Sequence, residues 1–321
     1  MEETVNRPEQ HGLQSSGQSH SVCNPQADLS GGLRRFNDLV VSALGTAQRD
    51  WLLSVRELKK LQRNNGRVAR TDRAHNWINH QAIKRQANLD AILFRALGLL
   101  PGDVKDGPED PDWAARFFGL AADCADPERQ ALWSQLLVME VERPGSVSPL
   151  VLRILATLSP QMVNWIRTVT RITINNFFIR LAEDFNTDRG LVPDVISLLE
   201  EYGILRTHKD TTKVFKSQLE GSFSTNLLYN DKVLRINHKD AGKELVLPCY
   251  RLTDAGTTLV RALQAEENFS ADVAYILEIV KFVRKQGYSV LQADILKRHS
   301  NNVVSKHSPF FELYALRGLG S

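Results

Sequence analysis

Residues 110–160 read DPDWAARFFGLAADCADPERQALWSQLLVMEVERPGSVSPLVLRILATLSP, and the fold turns on how this stretch is parsed. Four times an oxygen-bearing side chain stands before a proline: Asp110-Pro111, Asp126-Pro127, Ser148-Pro149 and Ser159-Pro160. Such a pair starts a helix. The side chain accepts an otherwise orphaned amide, and proline at the first helical position gives up no needed N–H. Behind each start, apolar residues recur three and four apart: Trp113, Phe117 and Phe118, then Leu132, Trp133, Leu136 and Leu137, then Leu150, Val151, Ile154, Leu155 and Leu158. The fourth helix is expected to run long, through Val163, Ile166, Val169, Phe177, Phe178 and Leu181, with the β-branched run Thr168–Thr173 arguing for a break. Short connections then predict a compact helical bundle over 108–185.

Upstream, residues 1–29 are rich in Gln, Ser, Asn, Gly and His. They carry too little apolar surface to offset ordering entropy, so a disordered arm is expected. Periodicity begins at Ser30, with Leu33, Phe36, Leu39, Val40 and Ala43-Leu44 before Gly45. A second helical stretch, about 47–63, carries Trp51, Leu52, Val55, Leu58 and Leu61. A third, about 72–97, carries Trp77, Ile78, Ile83, Leu89, Ile92, Leu93 and Leu97. Asn64-Asn65-Gly66 between the last two is a turn signal, and a helical hairpin region over 30–100 follows.

Downstream the texture changes. Val192–Leu205 reads as a short helix, Phe223–Tyr229 and Val233–His238 as strands around the turn Asn230-Asp231, and Glu244–Leu252 as a third strand. Thr253 and Ser270 are read as caps of two further helices, ending near Gln264 and Gln286. Helix, small β-meander, helix over 186–290 is the outline of a winged-helix unit, with 291–321 left as a tail. The expected class is therefore mainly α: helical hairpin, helical bundle and a winged-helix-like α+β end.

The chain has 321 residues, 42% of them hydrophobic and 24% charged, which excludes a disordered or collagen-like protein and suits about two domains. Its three cysteines, Cys23, Cys124 and Cys249, form no CxxC pair, so neither a disulfide framework nor a zinc site is expected, and a reducing cytoplasm fits. No apolar h-region opens the chain, and no apolar run reaches the length of a membrane span. There is no phosphate-binding glycine loop, HExxH or GxSxG, and His75 and His80 stand five apart, off the spacing one helical face requires for a metal. Catalytic residues, cofactors and metals are therefore expected to be absent.

One charge anomaly remains. Arg49–Gln86 holds ten basic and three acidic residues, +7 within a chain of +3. Arg56, Lys59, Lys60, Arg63, Arg67, Arg70, Arg73, Lys84 and Arg85 thus form a candidate surface for nucleic acid or an acidic partner, or simply a solvated helix face. The helix before the meander offers Asp194, Ser197, Glu200 and Glu201, which would repel a DNA backbone, whereas Lys209, Lys213, Lys216, Lys232 and Arg235 put cations on the wing. Arg116 and Glu140 sit amid apolar neighbours and are expected to pair across their helices.

Asp112-Trp113, Arg116-Phe117-Phe118, Gln130-Ala131-Leu132-Trp133, Leu136-Leu137, Glu140, Pro144-Gly145-Ser146 and Ser148 together resemble a bacterial family of unknown function related to abortive-infection alpha proteins. Arg85–Ile92 and Leu252–Gly256 share the likeness, which spans about 75–290. Pro149 after Ser148, and Met139 before Glu140 where a small residue is usual, depart from it. The resemblance brings no catalytic residues and implies a role in phage defence. In the motif itself Trp113, Arg116, Phe117, Phe118, Gln130, Trp133, Glu140, Pro144, Gly145 and Ser146 read as structural. The favoured expectation is a non-enzymatic scaffold with a protein partner. A nucleic-acid-binding regulator is the alternative, and an enzyme or toxin with a site assembled from distant residues is the third.

Overall fold

The computed structural model describes residues 67–100, 110–181, 183–207, 211–217, 220–300 and 303–312. The expected arm and first two helices lie outside them. The chain divides after Ile83. Of the first unit, the described residues are the opening turns of α1 (Arg67–Leu97), where Trp77, Ile78 and Ile83 are exposed.

In the second unit all four proline-marked helices begin where expected: α2 (Pro111–Ala121), α3 (Pro127–Glu142), α4 (Pro149–Thr157) and α5 (Pro160–Ile172). The Asp110 carboxylate accepts from the amides of Asp112 and Trp113 at 3.0 Å each, and Asp126 accepts from the Arg129 amide at 2.9 Å. Ser159 accepts from Met162 at 3.3 Å, whereas Ser148 makes no side-chain cap bond. Trp113 stacks on Phe117 with ring centres 5.1 Å apart, and Phe117 meets Trp133 edge-on at 5.2 Å. These rings anchor the helical side of the core.

α5 stops at Ile172, short of the expected Leu181. The hydroxyls of Thr170 and Thr173 turn back to the carbonyls of Ile166 and Val169, at 2.8 and 2.7 Å, which offers the backbone an alternative to further helix. Asn175-Asn176 then reverses the chain, and Phe177–Ile179 leaves as strand β1. The remaining elements are α6 (Glu183–Thr187), α7 (Pro193–Glu201), β2 (Leu205–Arg206), β3 (Thr212–Phe215), β4 (Phe223–Tyr229), β5 (Lys232–His238), β6 (Leu245–Leu252), α8 (Asp254–Gln264), α9 (Val273–Lys285), β7 (Ser289–Ser300), β8 (Val303–His307) and β9 (Phe311–Glu312). α9 is capped by Asp272, whose carboxylate accepts from Tyr275, rather than by Ser270.

The strands form two antiparallel sheets, so the protein is α+β and the mainly α, winged-helix expectation is overturned. β6 gathers β1, β2 and β3, with Phe177 opposite Arg251, Leu205 opposite Leu252 and Thr212 opposite Pro248. The hairpin β4–β5 turns at Asn230-Asp231 as its sequence predicts, but it joins the other sheet, where β7 pairs with β5 and carries β8 and β9. A hairpin and third strand that part into separate sheets do not make a wing. One apolar core runs from Ile92 and Trp113 through Phe177 and Leu247 to Tyr275 and Val290. Gly256 marks its tightest approach: a Cβ there would meet the Ile204 carbonyl oxygen at 2.2 Å.

Candidate functional site

From Lys84 onward, α1 packs with one face. Asn88, Ile92 and Ala96 are buried there, each four residues after the last. Asn88 donates to the Ala122 carbonyl at 2.7 Å, and the Ser134 hydroxyl donates to the Ile92 carbonyl at 2.9 Å. Arg95 reaches the Pro127 carbonyl at 3.1 Å. Gln130 donates to the Cys124 carbonyl at 2.9 Å and to Asn88 at 3.4 Å, tying α3 to the same seam.

The opposite face is apolar as well. Ala87, Ala91, Phe94 and Leu97 recur there three and four apart, with Phe94 82% and Leu97 68% exposed. Leu99 and Leu100 extend the apolar surface past the end of the helix. Gln86 and Asp90, bonded to each other at 2.7 Å, border the stripe. Over the ten steps of helix from Ala87 to Leu97 it runs about 15 Å. The sequence reading counted Leu97 as packing surface and passed over Phe94. The available signal was surplus: α1 carries more apolar residues than one packed face can use.

The expected basic surface comes together only in part. Arg56, Lys59, Lys60 and Arg63 lie outside the described residues, and Arg67 and Arg70 occupy the first turns of α1. Arg73 and Lys84 are half-buried. Arg85 donates to the Gly119 carbonyl at 3.1 Å and pairs with Asp123 at 3.2 Å, so its charge serves to hold α1 against α2. The wing cations are dispersed too. Lys216 pairs with Glu244 at 2.7 Å, while Lys232 pairs with Asp231 and Asp294 in the other sheet. Arg235 bonds Asn226 and lies 3.8 Å over the Phe310 ring, and Lys209 lies outside the described residues.

The expected Arg116–Glu140 pair does not form. Glu140 instead accepts from the amides of Gly145 at 2.6 Å and Val147 at 2.9 Å, and Arg116 is exposed. Around this carboxylate the Pro144-Gly145-Ser146 exit closes, with Gly145 at φ 78° and the Ser146 hydroxyl on the Met139 carbonyl at 2.8 Å. Trp113 donates its indole N–H to the Val147 carbonyl at 2.8 Å, while Phe118 stays at the surface. The motif is thus a structural clamp. Burial pushes the Cys124 and Cys249 thiols up, which keeps both protonated at neutral pH.

Residues 72–176 match the model of a family described as a protein of unknown function (DUF2806). The match includes all of the clamp and the outward stripe of α1, and it ends before β1, short of the 75–290 likeness read from the sequence. No curated protein and no solved structure matches the chain. The match thus covers α1 from Asp72 onward, the clamp and the four proline-started helices. No helix among the described residues is long and apolar enough to cross a membrane.

Proposed function

We propose that this protein is a non-enzymatic interaction component that docks an amphipathic helix of a protein partner along the outward face of α1. The observation that carries this reading is the exposure of Phe94 and Leu97 on a helix whose other face is already fixed. Adjacent large apolar side chains left in water mark a docking surface. A single narrow stripe bordered by Gln86 and Asp90 fits one helix better than a lipid surface or a broad flat partner. The likeness to abortive-infection alpha proteins supports a setting in bacterial phage defence.

The test compares recoveries from host lysate by the native chain and by a Phe94→Glu variant, each with and without nuclease. One protein recovered at stoichiometric yield, resistant to nuclease and lost with Phe94→Glu, supports the reading. Equal recovery by both chains overturns it. The second reading, nucleic-acid binding, draws on the +7 charge of Arg49–Gln86. It requires an electrophoretic shift that weakens steeply with salt, and it ranks lower because Arg85 is occupied by Gly119 and Asp123.

A further inference from the structure

A second site lies away from α1, where two asparagine-led turns stand side by side. Asn175 opens the turn that bridges Ile174 to Phe177, and Asn230 opens the β4–β5 turn between Tyr229 and Lys232. The Asn175 amide donates to the Leu228 carbonyl at 3.2 Å and ties the first turn to the second strand pair. Both residues adopt left-handed backbone, at φ 53° and φ 50°, and they are the non-glycine residues to do so among those described. Asparagine adopts left-handed backbone more readily than other non-glycine residues, and both tight chain reversals use it.

Both turns line an open cavity of about 380 Å³, whose other walls come from α8 and β7. α8 contributes Arg261 and Gln264, and β7 contributes Lys297. Asp231 also lines it, but its carboxylate is engaged by Lys232 at 3.0 Å. No carboxylate pairs with Arg261 among the described residues. Partial burial of its stem, and then the like charge of Arg143 at the end of α3, lower the Arg261 pKa. An anion entering the cavity would be attracted by Arg261 and by Lys297, both of which line it.

We infer that this cavity binds a small phosphorylated, hydroxyl-bearing molecule of about nucleotide size, its phosphate on Arg261 and Lys297 and its hydroxyls on Asn175, Asn230 and Gln264. The volume falls in the range of small-molecule sites. A concave site of this size also favours a compact ligand over a nucleic-acid strand.

Titration calorimetry of the full chain with pyrophosphate, ATP and ribose tests this. Pyrophosphate and ATP bind and ribose does not. Arg261→Gln and Lys297→Gln each weaken binding at least tenfold, about 1.4 kcal/mol, with unchanged thermal unfolding because both side chains are at the surface. Phe94→Glu leaves this binding intact, so the site stands or falls apart from the α1 reading. Absence of heat with both phosphates at millimolar concentration, undiminished binding by either variant, or a competing oligonucleotide without terminal phosphate that binds more tightly than ATP would each overturn the inference.

Discussion

The indole N–H of Trp113 donates to the Val147 carbonyl across 2.8 Å, and the Val147 amide donates to the Glu140 carboxylate at 2.9 Å. One residue of the exit loop is thus held from α2 on one side and from α3 on the other. Glu140→Ala leaves two amides without their charged acceptor, at a cost of about 2–3 kcal/mol. Glu140→Gln retains one acceptor oxygen and costs about 1 kcal/mol. Chemical denaturation of both variants checks the order, and a Glu140→Ala chain as stable as the parent would refute the clamp.

Two glycines make opposite predictions. Gly256 lies against the Ile204 backbone, which a Cβ would meet at 2.2 Å. Backbone cannot step aside as the tip of a side chain can, and the site is fixed further by Thr253, which donates to the Gly203 carbonyl at 2.5 Å and accepts from the Gly256 amide at 2.9 Å. Gly256→Ala therefore destabilises by about 3 kcal/mol. Gly119, in α2, has nothing within 4 Å of its Cβ position. Gly119→Ala should stabilise by about 0.5–1 kcal/mol through helix propensity. Melting curves of the two variants must move in opposite directions.

What the sequence made legible was local. The four proline-marked starts, the Asn230-Asp231 turn and the two strands beside it depend on neighbours a few residues away, and they stand where expected. β1 could not be read this way. Phe177–Ile179 is buried at every position, so it lacks the alternation of a half-exposed strand and continued the apolar run of α5. β7 pairs with β5 more than 50 residues earlier, a partnership no local window contains. Side-chain partners were equally hidden. Glu140 found two backbone amides instead of Arg116 because the loop just beyond it folds back over its carboxylate. Of the candidate cavity, the sequence showed only the Asn230-Asp231 turn.

Acid lability should begin at Asp272. Burial opposes its charge, but the Arg189 guanidinium at 2.6 Å and the Tyr275 and Ala274 amides outweigh it and hold the carboxyl below its usual value. Arg189 is itself placed 3.5 Å over the Phe185 ring. A carboxyl depressed by folding stabilises the native state above its unfolded pKa of about 3.9, and that contribution disappears as pH falls through the lower native value. Asp272→Asn keeps a capping oxygen for α9 while removing the charge. The parent should exceed the variant by about 2 kcal/mol at pH 7, and the difference should shrink as pH falls through the lowered native value. A difference that is the same at every acidic pH would show that the charge was not its source.

Arg167 joins three segments through one guanidinium. It donates to Glu128 on α3 at 3.0 Å, and to both oxygens of Glu266 beyond α8 at 3.0 and 3.2 Å. Burial would lower its pKa, yet the two carboxylates reverse the shift and raise it, which shows that pairing outweighs the loss of water. A lysine ammonium is a single point charge, whereas the guanidinium spreads its donors over two nitrogens, Nη1 on Glu128 and Nη2 on Glu266. Arg167→Lys should therefore cost about 1 kcal/mol despite the conserved charge. Glu128 is half exposed and Glu266 is not, with side-chain exposures of 53% and 21%. Glu128→Gln should thus cost less than Glu266→Gln, and its effect should fade as salt is raised. Denaturation of the three variants at low and high ionic strength separates these contributions, and equal costs for the two glutamates at both salt concentrations would argue against the Glu266 contact as the stronger arm.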